Sequence, residues 1–221
     1  MYRLYFSIAA LAFYPTPSQA MESIYFAVGD VILSAPLPDG YCVPQGDDKS
    51  LADKLASLDR TSFTLATLIR CDQAGKEGGY GDDFIVIKTP RRKLWITTTR
   101  DQILQSLANQ MGKPDSETAE EMDSALKEAA SDVSDIASKK VHVEGEVRPR
   151  GVDGICAYLG GTVSVSAEGI SGTSLMGSCT TGVGGKIVTI YVQAPVSSNQ
   201  SVEQLMQQAR NLAGSIGQSS I

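Results

Sequence analysis

His142, Glu144, Glu146 and Arg148 occupy alternate positions along one short stretch of this chain. In a strand they would share one face, because successive side chains point to opposite sides. A histidine with two carboxylates has the donor types for a metal ion or for acid–base work. Glu144 and Glu146 would stand about 6.6 Å apart along the strand, near the spacing of carboxylate pairs that hydrolyse glycosides. A solvent-facing strand with alternating charge gives the same pattern, and Val141, Val143 and Val147 on the opposite face favour it. His142 is the only histidine, so no triad and no multi-histidine site can be built. The row is therefore assigned neither a metal nor a catalytic residue, and no cofactor is expected.

A second group is basic. Lys88, Arg91, Arg92 and Lys93 cluster beside the only tryptophan, Trp95. Cations next to an indole can receive an anionic ligand, a lipid head group or a glycan. The plainer alternative is a solvated turn beside a core tryptophan. Because the cluster opposes the overall acidity of the chain, Arg91, Arg92, Lys93 and Trp95 form the candidate binding surface.

Other patterns fail on inspection. Gly182-Val183-Gly184-Gly185-Lys186 resembles part of a phosphate loop, but Ile187 stands where Ser or Thr is needed and a strand follows instead of a helix. It reads as a glycine-rich turn. The run Gly172 to Gly177 is one residue too long for a nucleophile elbow and sits within a strand. Gly81-Asp82-Asp83 offers two carboxylates in a polar loop, which are ordinarily just solvated.

Four cysteines, Cys42, Cys71, Cys156 and Cys179, allow three pairings. Residues 155–167 and 170–180 read as strands joined by a three-residue hairpin loop, Ala167-Glu168-Gly169. In a hairpin the numbers of paired residues have a constant sum, about 336 here, and those of Cys156 and Cys179 total 335. The two thus lie almost opposite each other, within the span of a disulfide. Cys156–Cys179 is expected, which leaves Cys42–Cys71 and consumes every thiol.

The elements that must hold these groups alternate along the chain. Residues 23–33 read as a strand, 35–40 as a turn, and Ser50 as the opening of a short helix with Leu51, Leu55 and Leu58 on one face. Residues 62–71 form a buried strand, and 83–88 and 93–97 two more. Thr99 and Gln102 make a capping box for a helix with Ile103, Leu104, Leu107 and Met111 inward. A long acidic helix is expected over residues 118–139. Strands at 140–147, 155–167, 170–180 and 186–194 and a helix at 201–216 close the chain. The expected class is α+β, an antiparallel sheet with helices packed on its faces and two disulfides.

The start of the chain sets the compartment. Arg3 precedes an apolar run over residues 4–14, Pro15 and Pro17 follow, and Ser18-Gln19-Ala20 supplies the small residues of a cleavage site. Residues 1–20 are read as a signal peptide and 21–221 as a single domain, periplasmic or secreted. Eleven apolar residues are too few for a spanning helix, which needs about 20, and no other run approaches that length. The mature chain is thus expected to have no transmembrane span. The whole chain carries a net charge of −6, and losing Arg3 makes it −7, which disfavours a nucleic-acid partner.

Leu37-Pro38-Asp39-Gly40-Tyr41-Cys42 ahead of a short helix, with a closing strand feeding a terminal helix, resembles small secreted bacterial proteins of PsbP-like organisation. The resemblance implies a central antiparallel sheet with helices on both sides and an accessory or assembly role; it carries over no functional residue. The acidic helix and the disulfide pattern depart from it. The leading expectation is a non-enzymatic exported domain that binds a protein or envelope component. The alternative is an envelope hydrolase using Glu144 and Glu146.

Overall fold

The computed structural model describes residues 22–76, 81, 83–112, 124, 134, 141–167 and 170–219. Strand β1 (Ser23–Val28) turns through Gly29 and Asp30 into the antiparallel β2 (Val31–Pro36). Residues 23–33 are thus a hairpin and not one strand, because the chain reverses at Gly29, where φ is 61°. Strand β3 (Tyr41–Cys42) leads to helix α1 (Gly46–Leu58), then β4 (Ser62–Arg70) and β5 (Phe84–Pro90). A 3-10 turn at Arg91–Lys93 and helix α2 (Arg100–Met111) follow. Next come β6 (His142–Val152), β7 (Ala157–Ala167), β8 (Ile170–Val183) and β9 (Lys186–Pro195). Helix α3 (Val202–Ser215) and the two-residue β10 (Gly217–Gln218) end the described chain.

Two antiparallel sheets result. The smaller has the order β1-β2-β10, and the larger runs β3-β4-β5-β9-β8-β7-β6. This is the expected α+β class. Strand β8 shows how both faces of the large sheet are covered. A Cβ on Gly177 would lie 2.5 Å from the Met206 backbone N of α3, and one on Gly182 would lie 2.8 Å from Ile103 Cδ1 of α2. Five residues apart on a strand, they point to opposite faces, so α2 and α3 flank the sheet.

On the α3 side, Val188, Ile190 and Val192 of β9 and Ile85 and Ile87 of β5 meet Phe26, Val28 and Leu33 of the small sheet and Leu205, Ala209 and Leu212 of the helix. Burial of a side chain such as Leu205 contributes about 1.5–3 kcal/mol. On the other face, Ala52 of α1 packs on Ile69 of β4.

Helix α2 begins as expected, with Thr99 and Gln102 exchanging both hydrogen bonds of a capping box. Helix α1 starts at Gly46, four residues before Ser50, whose hydroxyl donates to the Gly46 carbonyl at 3.2 Å. Asp47 and Asp48 in its first turn suit the positive end of the helix dipole.

Both disulfides form in the expected pairs, Cys42–Cys71 and Cys156–Cys179, each with Cα atoms 5.1 Å apart. The hairpin register differs slightly from expectation. Tyr158 and not Cys156 stands opposite Cys179, and Ala167 pairs with Ile170, so the connection is two residues. Cys156 sits just before β7, two positions from the pairing residue and on its side of the sheet. Among the described residues, no helix is long and apolar enough to cross a membrane. The expected signal peptide and most of the expected helix at 118–139 lie outside the described residues; Ser124 and Ser134 are helical.

Candidate binding surface

One buried cation organises the end of the molecule where the basic turn sits. Lys186, at the start of β9, is 2% exposed. Its Nζ donates to the Leu94 carbonyl at 3.0 Å and pairs with Asp30 Oδ1 at 2.7 Å. A buried ammonium needs such partners, since desolvation without them is expensive. The hydrogen bond and charge of Lys186, together with the backbone N–H of Asp30, hold the Asp30 carboxyl below the usual carboxylate range. Three connections meet here: the β1–β2 turn, the loop after Arg91–Lys93 and the β8–β9 turn. A Cβ on Gly29 would be 2.6 Å from the Leu94 carbonyl oxygen, so this approach requires glycine. Thr98 N donates to the Gly185 carbonyl at 3.0 Å. Gly184 and Gly185, at φ 58° and 77°, form the two-residue turn that offers this acceptor.

The expected strand at 93–97 does not form. Pro90 ends β5, Ile96 N donates back to the Lys93 carbonyl at 3.2 Å, and the Leu94 carbonyl is taken by Lys186. These contacts use backbone groups that a sheet ladder would require.

The structure divides the basic residues into two kinds. Lys88 Nζ pairs with Asp59 Oδ2 at 2.8 Å and lies 5.7 Å from the centre of the Tyr191 ring. The Arg91 guanidinium stacks 3.7 Å from the centre of the Phe63 ring, and its Nε donates to the Asp59 carbonyl at 3.0 Å. Burial opposes the Asp59 charge, but hydrogen bonds from Lys88, Ser62 N and Thr61, with the Lys88 charge, hold its carboxyl below the usual range. Burial, with the Asp59 charge, pushes the Tyr191 phenol up to about 12. Lys88 and Arg91 are therefore occupied in holding the turn. Arg92 and Lys93 are exposed, and no ion pair to either occurs among the described residues. Trp95 is 76% exposed and Ile96 47% exposed. The alternative of a core tryptophan is thereby corrected: the indole is exposed, beside two exposed cations that form no ion pair among the described residues.

The other candidate groups take structural positions. His142 Nε2 lies 2.8 Å from Glu144 Oε1, and Arg148 Nε lies 3.9 Å from Glu146 Oε1. All four share one face of β6, the outer strand of the large sheet, with the carboxylate side chains 72% and 75% exposed. They form a solvated row. Asp83 accepts from the Tyr41 hydroxyl at 2.6 Å, and burial followed by this bond pushes the phenol up to about 12. Asp82 lies outside the described residues. Among the described residues, no group of three or more His, Cys, Asp or Glu is placed to hold a metal ion. A depression of about 150 Å³ between α1 and β4 has Lys49 and Asp53 at its wall, but these pair with each other at 2.6 Å.

Two organising residues escape a reading of the sequence. Asp153 accepts from Ile155 N and Cys156 N through Oδ1, and from Tyr158 Oη and Arg210 Nε through Oδ2, all within 2.8 Å. It ties the Cys156 turn to α3. Lys186 left a usable signal: it shares the inward side of β9 with Val188, Ile190 and Val192, where a charge requires a buried partner.

No protein-family model matches the chain, and no curated protein matches it. Among solved structures, it is similar to the solution structure of cyanobacterial PsbP from Synechocystis sp. PCC 6803, at 12% identity over 93% of this chain and 98% of that one, with a TM-score of 0.39. The PsbP-like resemblance noted in the sequence thus recurs, and a likeness of this extent carries nothing about function.

Proposed function

We propose that this protein is an exported, non-enzymatic binding domain spanning residues 21–221, which engages an envelope component through the projection formed by residues 91–96. The observation that carries this reading is Trp95, 76% exposed on a loop whose neighbour Leu94 is anchored by a buried lysine. Large aromatic side chains in water beside unpaired cations favour contact, because one surface then offers both apolar area and charge. The two bridges support export, since disulfides persist in oxidising compartments. They also occupy Cys42, Cys71, Cys156 and Cys179, leaving none of the four as a nucleophile.

Capture from the envelope fraction of the source cell tests the reading. The tagged mature protein should retain envelope material, and an Arg92→Glu/Lys93→Glu variant should retain little of it. Arg91 is left intact because it packs on Phe63. Equal retention by both proteins would remove the surface from consideration.

A further inference from the structure

Resting on that reading, we propose that the projection docks on an anionic phospholipid surface. Trp95 and Ile96 enter the boundary between head groups and acyl chains, and Arg92 and Lys93 meet the lipid phosphates.

Charge is the first argument. Residues 84–100 carry five basic side chains and no acidic one, in a chain whose net charge is −6. The nearby carboxylates Asp59 and Asp30 are already paired, with Lys88 and Lys186. An anionic surface therefore attracts this end and repels the remainder, which orients the protein before contact.

Shape is the second. Arg92, Lys93, Trp95 and Ile96 fall within five residues, and the bond from Ile96 N to the Lys93 carbonyl folds that stretch into a turn. A standard protein interface needs about 800 Å² per partner, more than one protruding turn supplies. A fluid bilayer moulds itself around such a protrusion. An indole suits that boundary, with an apolar ring and an N–H for the head groups. The third argument is order. Lys186 on the Leu94 carbonyl and Thr98 N on the Gly185 carbonyl fix the loop on both sides of Trp95, so docking orders little new chain.

The single tryptophan makes the test direct, because all indole emission comes from the proposed contact. The oxidised mature protein is mixed with vesicles of phosphatidylcholine alone, or of phosphatidylcholine with an equal share of phosphatidylglycerol. With the anionic vesicles, Trp95 emission should shift to shorter wavelength and be quenched by brominated acyl chains, and both effects should fade as salt rises. Arg92→Glu/Lys93→Glu should weaken sedimentation with these vesicles by at least about 25-fold, from about fivefold per basic residue. Arg92→Lys/Lys93→Arg should bind as the parent does.

An unchanged emission with anionic vesicles would overturn the proposal, as would vesicle binding undiminished by the charge reversal. An equal shift on soluble glycerol phosphate would overturn it too, since that marks a phosphate site and not a membrane contact. If vesicles are ignored while the charge reversal still abolishes envelope capture, the lipid inference falls and the binding reading stands. If neither vesicles nor envelope material is held, both fall.

Discussion

At Gly177 the backbone of helix α3 rests directly on β8, and adding one methyl group there measures how tightly the layers are joined. A Cβ at Gly177 would stand 2.5 Å from Met206 N and 2.8 Å from both the carbonyl carbon and Cβ of Leu205. Ordinary contact begins near 3.4 Å, so the helix backbone must retreat by almost 1 Å. No flexible side chain can absorb that shift, and the Arg210–Asp153 contact of 2.8 Å must follow the helix. Overpacking of this kind costs about 1–3 kcal/mol. Replacing glycine within a strand returns about 0.4–1 kcal/mol through the unfolded chain, so Gly177→Ala should lose about 1–2 kcal/mol net. For a domain of this size that lowers Tm by about 2–8 °C. Gly172→Ala on the same strand is the control, because nothing lies within 4 Å of its added Cβ. Melting followed by far-ultraviolet circular dichroism compares the two. Equal Tm values would refute the claim that the helix backbone bears directly on the strand.

The two bridges should differ in accessibility, since Cys156 and Cys179 are 0% exposed whereas Cys71 is exposed and Cys42 half-buried. Under mild reduction of the folded protein, alkylation mapped by mass spectrometry should label Cys42 and Cys71 first; simultaneous labelling of all four would contradict the described core. Asp153 carries a pH dependence. Burial raises its pKa, but hydrogen bonds from Arg210, Cys156 N, Tyr158 and Ile155 N outweigh this and hold the carboxyl well below the usual range. A depressed folded-state pKa stabilises above the unfolded value near 3.9 and loses that stabilisation as pH falls toward the folded one. Asp153→Asn should therefore lower Tm at pH 7 and flatten its decline below pH 4, and an unchanged acid slope in melts at stepped pH would count against this role.

How legible the fold was depended on the range of the interaction. Local signals survived: the Thr99–Gln102 capping box, the inward face of α2 and the strand alternation of β9 all appear where periodicity puts them. The pairing of Cys156 with Cys179 was legible although paired residues of the hairpin sum to 337 and not 336, because Cys156 lies two positions from Tyr158, the residue opposite Cys179, and a displacement of two keeps a side chain on the same face. Apart from the local reversal at Gly29, what failed was set by contacts distant in sequence. Residues 93–97 have strand composition, yet Lys186, 92 positions beyond Leu94, claims the carbonyl a ladder would use. The place of Trp95 beside the basic residues is a matter of sequence, but its exposure was not legible. That exposure depends on where the loop is pinned, and hydropathy favours burying an indole. Asp153 was invisible for the same reason, since Arg210 lies 57 residues away.

The order of the bridges has a consequence for how the chain matures. Each cysteine is joined to its neighbour along the chain, Cys42 with Cys71 and Cys156 with Cys179, and the two loops neither cross nor enclose one another. A chain oxidised from its amino end, as its cysteines emerge one by one, reaches native connectivity simply by joining each thiol to the last free one. Vectorial oxidation and the native pattern therefore coincide. A chain that met an oxidant as its cysteines emerged would need no isomerase to reshuffle mistaken pairs.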